Sequence, residues 1–153
     1  MRLRVLAVGP RQPQWVDAGF EEYRRRLPGL ELVELPLARR HKGQPAGPAR
    51  DEEGARLLAR LAPSAHVVAL EVEGRALDTA ALARRLEHWL GLGQPVDFLI
   101  GGPDGLSPDC RARAAEAWSL SPLTLPHGLA RVLVAEALYR AWTVLKGHPY
   151  HRE

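Results

Sequence analysis

The chain has 153 residues, 46% hydrophobic and 25% charged, enough for one core of ordinary size and too apolar to stay unfolded. Its single cysteine, Cys110, excludes an intramolecular disulfide and a cysteine-based zinc cluster and suits a reducing compartment. The formal net charge is +3, and 19 of the 21 basic residues are Arg, so a polyanionic partner is permitted without being demanded.

RLRVLAVG (2–9) reads as a strand. Its apolar run is too short for a signal-peptide core, and no segment approaches the ~20 residues of a membrane span, so a cytoplasmic protein is expected. Pro13 suits a first helical turn, and Trp15, Val16, Phe20, Tyr23 and Leu27 recur at helical spacing until Pro28-Gly29 ends the element. LELVELP (30–36) is a second strand. Residues 37–50, rich in Gly, Pro and basic side chains without a period, predict an exposed, mobile loop before a short helix ending near Pro63. HVVALEV (66–72) has the continuous apolar character of a strand covered on both faces, and Asp78 caps a helix carrying Leu82, Leu86, Trp89 and Leu90. VDFLI (96–100) follows as a strand, then GGPDGLSP (101–108), where Ser107-Pro108 opens another helix. AWSLS (117–121) is the last strand. The helix from Gly128 to Lys146 is apolar almost all round, which predicts that it lies between subunits.

Three segments offer chemistry. A glycine-rich turn at the carboxyl end of a parallel strand exposes backbone amides and carbonyls to a ligand, and GGPDGLSP has that context, although a plain tight turn explains it equally. It matches neither G-x-G-x-x-G nor a phosphate-binding loop, which weakens dinucleotide and NTP readings. SLSPLTLPHG (119–128) alternates hydroxyls and leucines, as an adenine pocket would, or is a buried connection. HPYHRE (148–153) offers Tyr150 for stacking on a base and Arg152 for phosphate, or is a frayed terminus. His148 and His151 lack a carboxylate-supported metal pattern, so no metal is expected. Glu136 and Arg140 stand four apart and form an i,i+4 pair, or position substrate if their face lines a cleft.

LIGGPDGLSP (99–108), WSLSPLTLPHGLARVLVAEALYRAW (118–142) and the terminal HPYHRE together closely resemble the ribosomal RNA large-subunit methyltransferase H family, of the SPOUT class. The likeness spans nearly the whole chain and is loosest across residues 37–62. Asp104 stands where that family often has Glu, Gly128 where Pro is common, and Gly147 where Asn is common. The resemblance implies a single α/β domain over residues 1–153, with a parallel sheet, helices on both faces, and a deep trefoil knot within residues 66–153. It implies a homodimer that uses S-adenosylmethionine to methylate N3 of a pseudouridine in 23S rRNA on the assembled ribosome. By position, Leu70, Gly101 and Gly102 would form one side of the cofactor pocket. Leu120, Ser121, Pro122, Leu123, Thr124, Leu125 and Pro126 would form the other. His127 or Glu136 would accept the N3 proton, Arg140 would position the base, and Tyr150, His151 and Arg152 would hold the RNA loop. The basic stretch from Arg39 to Lys42 is a further candidate for phosphate contact, or is simply a solvated face. The rivals are an RNA-binding module with the same fold and a nucleotide-binding hydrolase.

Overall fold

The structure is a computed structural model that describes residues 1–152, with side chains to Tyr150. Strand β1 (Leu3–Val8) sits inside a five-stranded parallel sheet, paired with β2 (Leu30–Leu35) on one side and β4 (Val96–Ile100) on the other. Beyond β4 come β3 (His66–Ala76) and the edge strand β5 (Glu116–Ser119), giving the order β2-β1-β4-β3-β5. Successive side chains of a strand point to opposite faces. Leu3, Val5 and Ala7 therefore enter one core, and Leu6 and Val8 enter another.

The first core lies under α1 (Gln14–Arg26), α3 (Thr79–Gly91) and α5 (His127–Lys146), and the two outer helices both pack on α5. Its centre is aromatic. Trp89 meets Phe98 edge-on at 5.4 Å between ring centroids, and Phe98 meets Trp118 at 6.1 Å, distances at which aromatic pairs add stability beyond their buried area. The second core lies under α2 (Gly47–Ala59) and α4 (Pro108–Arg113) and joins Leu57, Val67, Leu99, Leu106 and Cys110. The chain ends in a 3-10 turn, Pro149–Arg152. Among the described residues no helix is long and apolar enough to cross a membrane.

Two expected caps form: Asp78 accepts from the Ala81 amide and Ser107 from the Cys110 amide. Two segments differ from expectation. Helix α2 begins at Gly47, inside the stretch read as a loop, because its buried face is carried by Ala49, Glu53, Gly54 and Leu57. That face has helical spacing but only one large apolar residue, so hydrophobic periodicity does not reveal it. Strand β3 runs four residues further than Val72. Its register against β5 jumps, with both Leu70 and Arg75 opposite Trp118, and residues 71–74 bow out of the sheet between them. Gly74 is where the bow returns: a Cβ there would stand 2.8 Å from backbone atoms of Ala117 and Trp118.

Candidate active site

In an open parallel sheet a crevice forms beyond the carboxyl ends of strands whose connections leave in opposite directions. Here that point lies between β1, which continues through α1 to β2, and β4, which continues through α4 to β5. The turn after β4, residues 101–107, and the segment 120–127 after β5 meet beside it, over the ends of β4, β3 and β5. Together with the bow of β3 they enclose a cavity of about 610 Å³, within the usual range for small-molecule sites.

The glycine turn is tight for its own reasons. Gly102 and Gly105 form an isolated bridge closed by a Gly105 amide to Gly102 carbonyl bond of 3.0 Å. A Cβ on Gly101 would come within 2.5 Å of the Gly105 carbonyl carbon, so this missing side chain makes room for the chain itself before any ligand. In the second segment the Ser121 hydroxyl accepts from the Leu123 amide at 3.0 Å, while the Ser119 hydroxyl donates to the Ser121 carbonyl at 3.1 Å. These local bonds fix a bend whose leucines face the cavity, Leu123 being 70% exposed.

His127, the first residue of α5, ties the two segments together. Arg131, one turn on and fully buried, donates from Nε to His127 Nε2 at 2.9 Å and from Nη1 to Glu34 at 2.7 Å. A guanidinium can only donate, so the imidazole proton resides on Nδ1, which donates to the Gly101 carbonyl at 3.2 Å. Burial and then the Arg131 charge hold His127 below the ordinary histidine range. Both ring nitrogens are engaged and the ring is neutral.

Of the residues expected at the cofactor, Leu70, Gly101, Gly102, Leu120, Ser121, Leu123, Thr124 and Leu125 line the cavity, whereas Pro122 and Pro126 do not. Glu136 and Arg140 do not line it either. They face a smaller hollow of about 200 Å³ whose wall includes Leu120, the residue common to both spaces. The expected i,i+4 pair is present, Arg140 Nε donating to Glu136 Oε1 at 2.8 Å. Tyr150 lines neither space. Its hydroxyl donates to Glu136 Oε1 at 3.2 Å and its ring meets Tyr139 edge-on at 4.7 Å. The side chains of His151 and Arg152 lie outside the described residues.

Sequence reasoning passed over Glu71, Glu73 and Arg111, which also line the cavity. The available signal was acidic residues at the end of an otherwise apolar strand. Glu71 Oε1 is buried, and Arg111 Nε pairs with it at 2.5 Å without the alignment of a hydrogen bond. S-Adenosylmethionine fits such a space. Its adenine suits the walls of Leu70, Leu120 and Leu125, and its ribose hydroxyls and ammonium are the donors that a buried carboxylate can take.

Residues 1–151 match the family model described as "Predicted SPOUT methyltransferase". A protein of Alkalilimnicola ehrlichii named ribosomal RNA large subunit methyltransferase H is 58% identical over 155 residues, covering 99% of each chain. A probable methylase family protein from Haemophilus influenzae superposes with a TM-score of 0.57 at 12% identity, over 97% of this chain and 69% of that one. An AdoMet-bound rRNA methyltransferase from Sinorhizobium meliloti gives 0.51 at 14% identity, over 94% and 57%. With the expected parallel sheet, helices on both faces and a cavity at the strand ends suited to the cofactor, the chain belongs to the SPOUT methyltransferases, in the ribosomal RNA large subunit methyltransferase H family.

Proposed function

We propose that the chain acts as a single methyltransferase domain that methylates N3 of a pseudouridine in 23S rRNA, as a cytoplasmic homodimer working on the assembled ribosome. The observation that carries this reading is the cavity where the glycine turn and the 120–127 segment converge. The name of the Alkalilimnicola relative supports an rRNA substrate. In this reading the C-terminal part, from about residue 66, is threaded as a deep trefoil knot, which brings these two segments together.

S-Adenosylmethionine supplies a methyl group already activated on a sulfonium, so the protein has to align donor and acceptor and exclude water. Leu70, Leu120 and Leu125 cover the adenine, and the backbone of the two bends reads its edge. Pro122 and Pro126 stiffen the second bend, and Glu71 takes a hydroxyl or ammonium donor. His127 positions both bends. The target base enters the smaller hollow against Arg140, with Leu120 as the shared wall. The N3 proton passes to Glu136 Oε2, which has no partner among the described residues, whereas neither nitrogen of His127 is free to accept it.

Leu129, Leu133, Ala137 and Trp142 on α5 remain only half-buried within one chain, which supports placing this helix at the protomer interface. A tail anchored on α5 through Tyr150 then presents His151 and Arg152 to an RNA loop at the partner's cavity. The test is incubation of the purified protein with methyl-labelled S-adenosylmethionine and ribosomes from a strain lacking the modification. Label recovered as an N3-methylated pseudouridine from 23S rRNA is expected. Absence of label from the rRNA refutes methyl transfer and leaves an RNA-binding role.

A further inference from the structure

The basic segment between β2 and α2 is tied to the cofactor cavity through a buried carboxylate. Glu53 on α2 has a side chain only 2% exposed, and a carboxylate so enclosed requires compensation by charge and hydrogen bonds. The Ala38 amide donates to its Oε2 at 3.0 Å, and Arg40 donates to Oε2 from Nη1 at 2.7 Å and to Oε1 from Nη2 at 3.0 Å. The same guanidinium reaches Asp104 Oδ2 from Nε at 3.1 Å and Nη2 at 2.9 Å, and Nη1 also donates to the Ala38 carbonyl at 3.1 Å. Asp104 lies in the glycine turn. Glu53 supports that turn from beneath: a Cβ on Gly102 would stand 2.8 Å from Glu53 Oε1.

Within the turn itself a single backbone bond, from the Gly105 amide to the Gly102 carbonyl, closes the bridge. A wall that fluctuates must be ordered when a ligand binds, at a cost in affinity, and a wall already ordered avoids that cost. We propose that Arg40, braced on Glu53, is a positioning residue that holds the glycine turn through Asp104 in the shape that receives the cofactor. Arg40, although exposed like Arg39, His41 and Lys42, is thereby committed to two carboxylates and is not a free phosphate contact.

This inference rests on the cofactor reading, so its test separates the two. Arg40→Gln is unsuitable because it strands Glu53 as an unpaired buried charge. Asp104→Asn instead weakens only the outer half of the clamp, at a partly exposed residue. Calorimetric titration with S-adenosylmethionine is compared with amide hydrogen exchange of Gly102 to Leu106 in the ligand-free protein. Asp104→Asn is expected to raise Kd about tenfold and to speed exchange in the turn, with Tm essentially unchanged, and Asp104→Glu is expected to restore both. Normal wild-type binding together with an unchanged Kd or unchanged turn exchange in Asp104→Asn overturns the clamp alone. A wild-type protein that does not bind S-adenosylmethionine overturns the cofactor reading, and the clamp's role with it.

Discussion

Replacing His127 by Asn tests the neutral, doubly bonded imidazole at the junction of the two bends. Asn keeps a donor near the Gly101 carbonyl but cannot titrate. In the native protein burial and the neighbouring Arg131 lower the pKa of His127, whereas in the unfolded chain it titrates near its ordinary value of about 6.5. The unfolded state therefore binds the proton more readily, and the stability this ring contributes is present above pH 6.5 and is lost as the pH falls. If the folded ring stays neutral at pH 5.5, the loss between pH 7.5 and 5.5 reaches a ceiling of about 1.4 kcal/mol for one group. Urea unfolding at both pH values reads this as a midpoint falling by roughly 0.5–1.4 M more in the wild type than in His127→Asn, since other groups cancel in the comparison. Equal losses in the two proteins, or a larger loss in the variant, would refute the assignment of a neutral ring.

Other perturbations reach separate parts of the account. Leu123 is 70% exposed, so Leu123→Ser should leave stability within about 0.5 kcal/mol. It should weaken S-adenosylmethionine binding by about fivefold in calorimetry, the share of a leucine's burial that a ligand would complete. Unchanged affinity would remove this residue from the pocket. A Cβ on Gly54 would fall 2.1 Å from the Ser107 hydroxyl oxygen, so Gly54→Ala must part α2 from α4 or break the Ser107 cap. A loss of about 1–3 kcal/mol is expected, and an unaltered melting temperature would contradict the packing described. Deleting residues 150–153 should abolish methylation of ribosomes while cofactor affinity stays within about twofold of the wild type, and a truncated enzyme that still turns over would exclude the tail from substrate contact.

How much of this was legible in the sequence follows from which physical signals are local. Strands such as 66–70 and 96–100 declare themselves by uninterrupted apolar runs, and Asp78 and Ser107 by the capping chemistry of their side chains. The glycine turn and the 120–126 bend were recognisable as motifs, because glycines and alternating leucines are local features. Helix α2 was half hidden because small and acidic residues occupy its buried face. The bow at 71–74 depends on a register shift against β5, which no single strand encodes. Arg131 with Glu34 and Arg40 with Glu53 and Asp104 join residues separated by up to 97 positions. In the sequence those arginines look like ordinary surface charge, and only the fold reveals that Arg131 is itself buried and that Arg40 pairs with the buried Glu53.

The most direct measurement of the central claim is a crystal structure of the protein with S-adenosylmethionine at saturating concentration. The account predicts density for the adenine between Leu70 and the bend at Leu120 to Leu125, with the sulfonium methyl directed toward the hollow that holds Glu136 and Arg140. An empty cavity at saturation, or a donor bound away from the glycine turn, would contradict it.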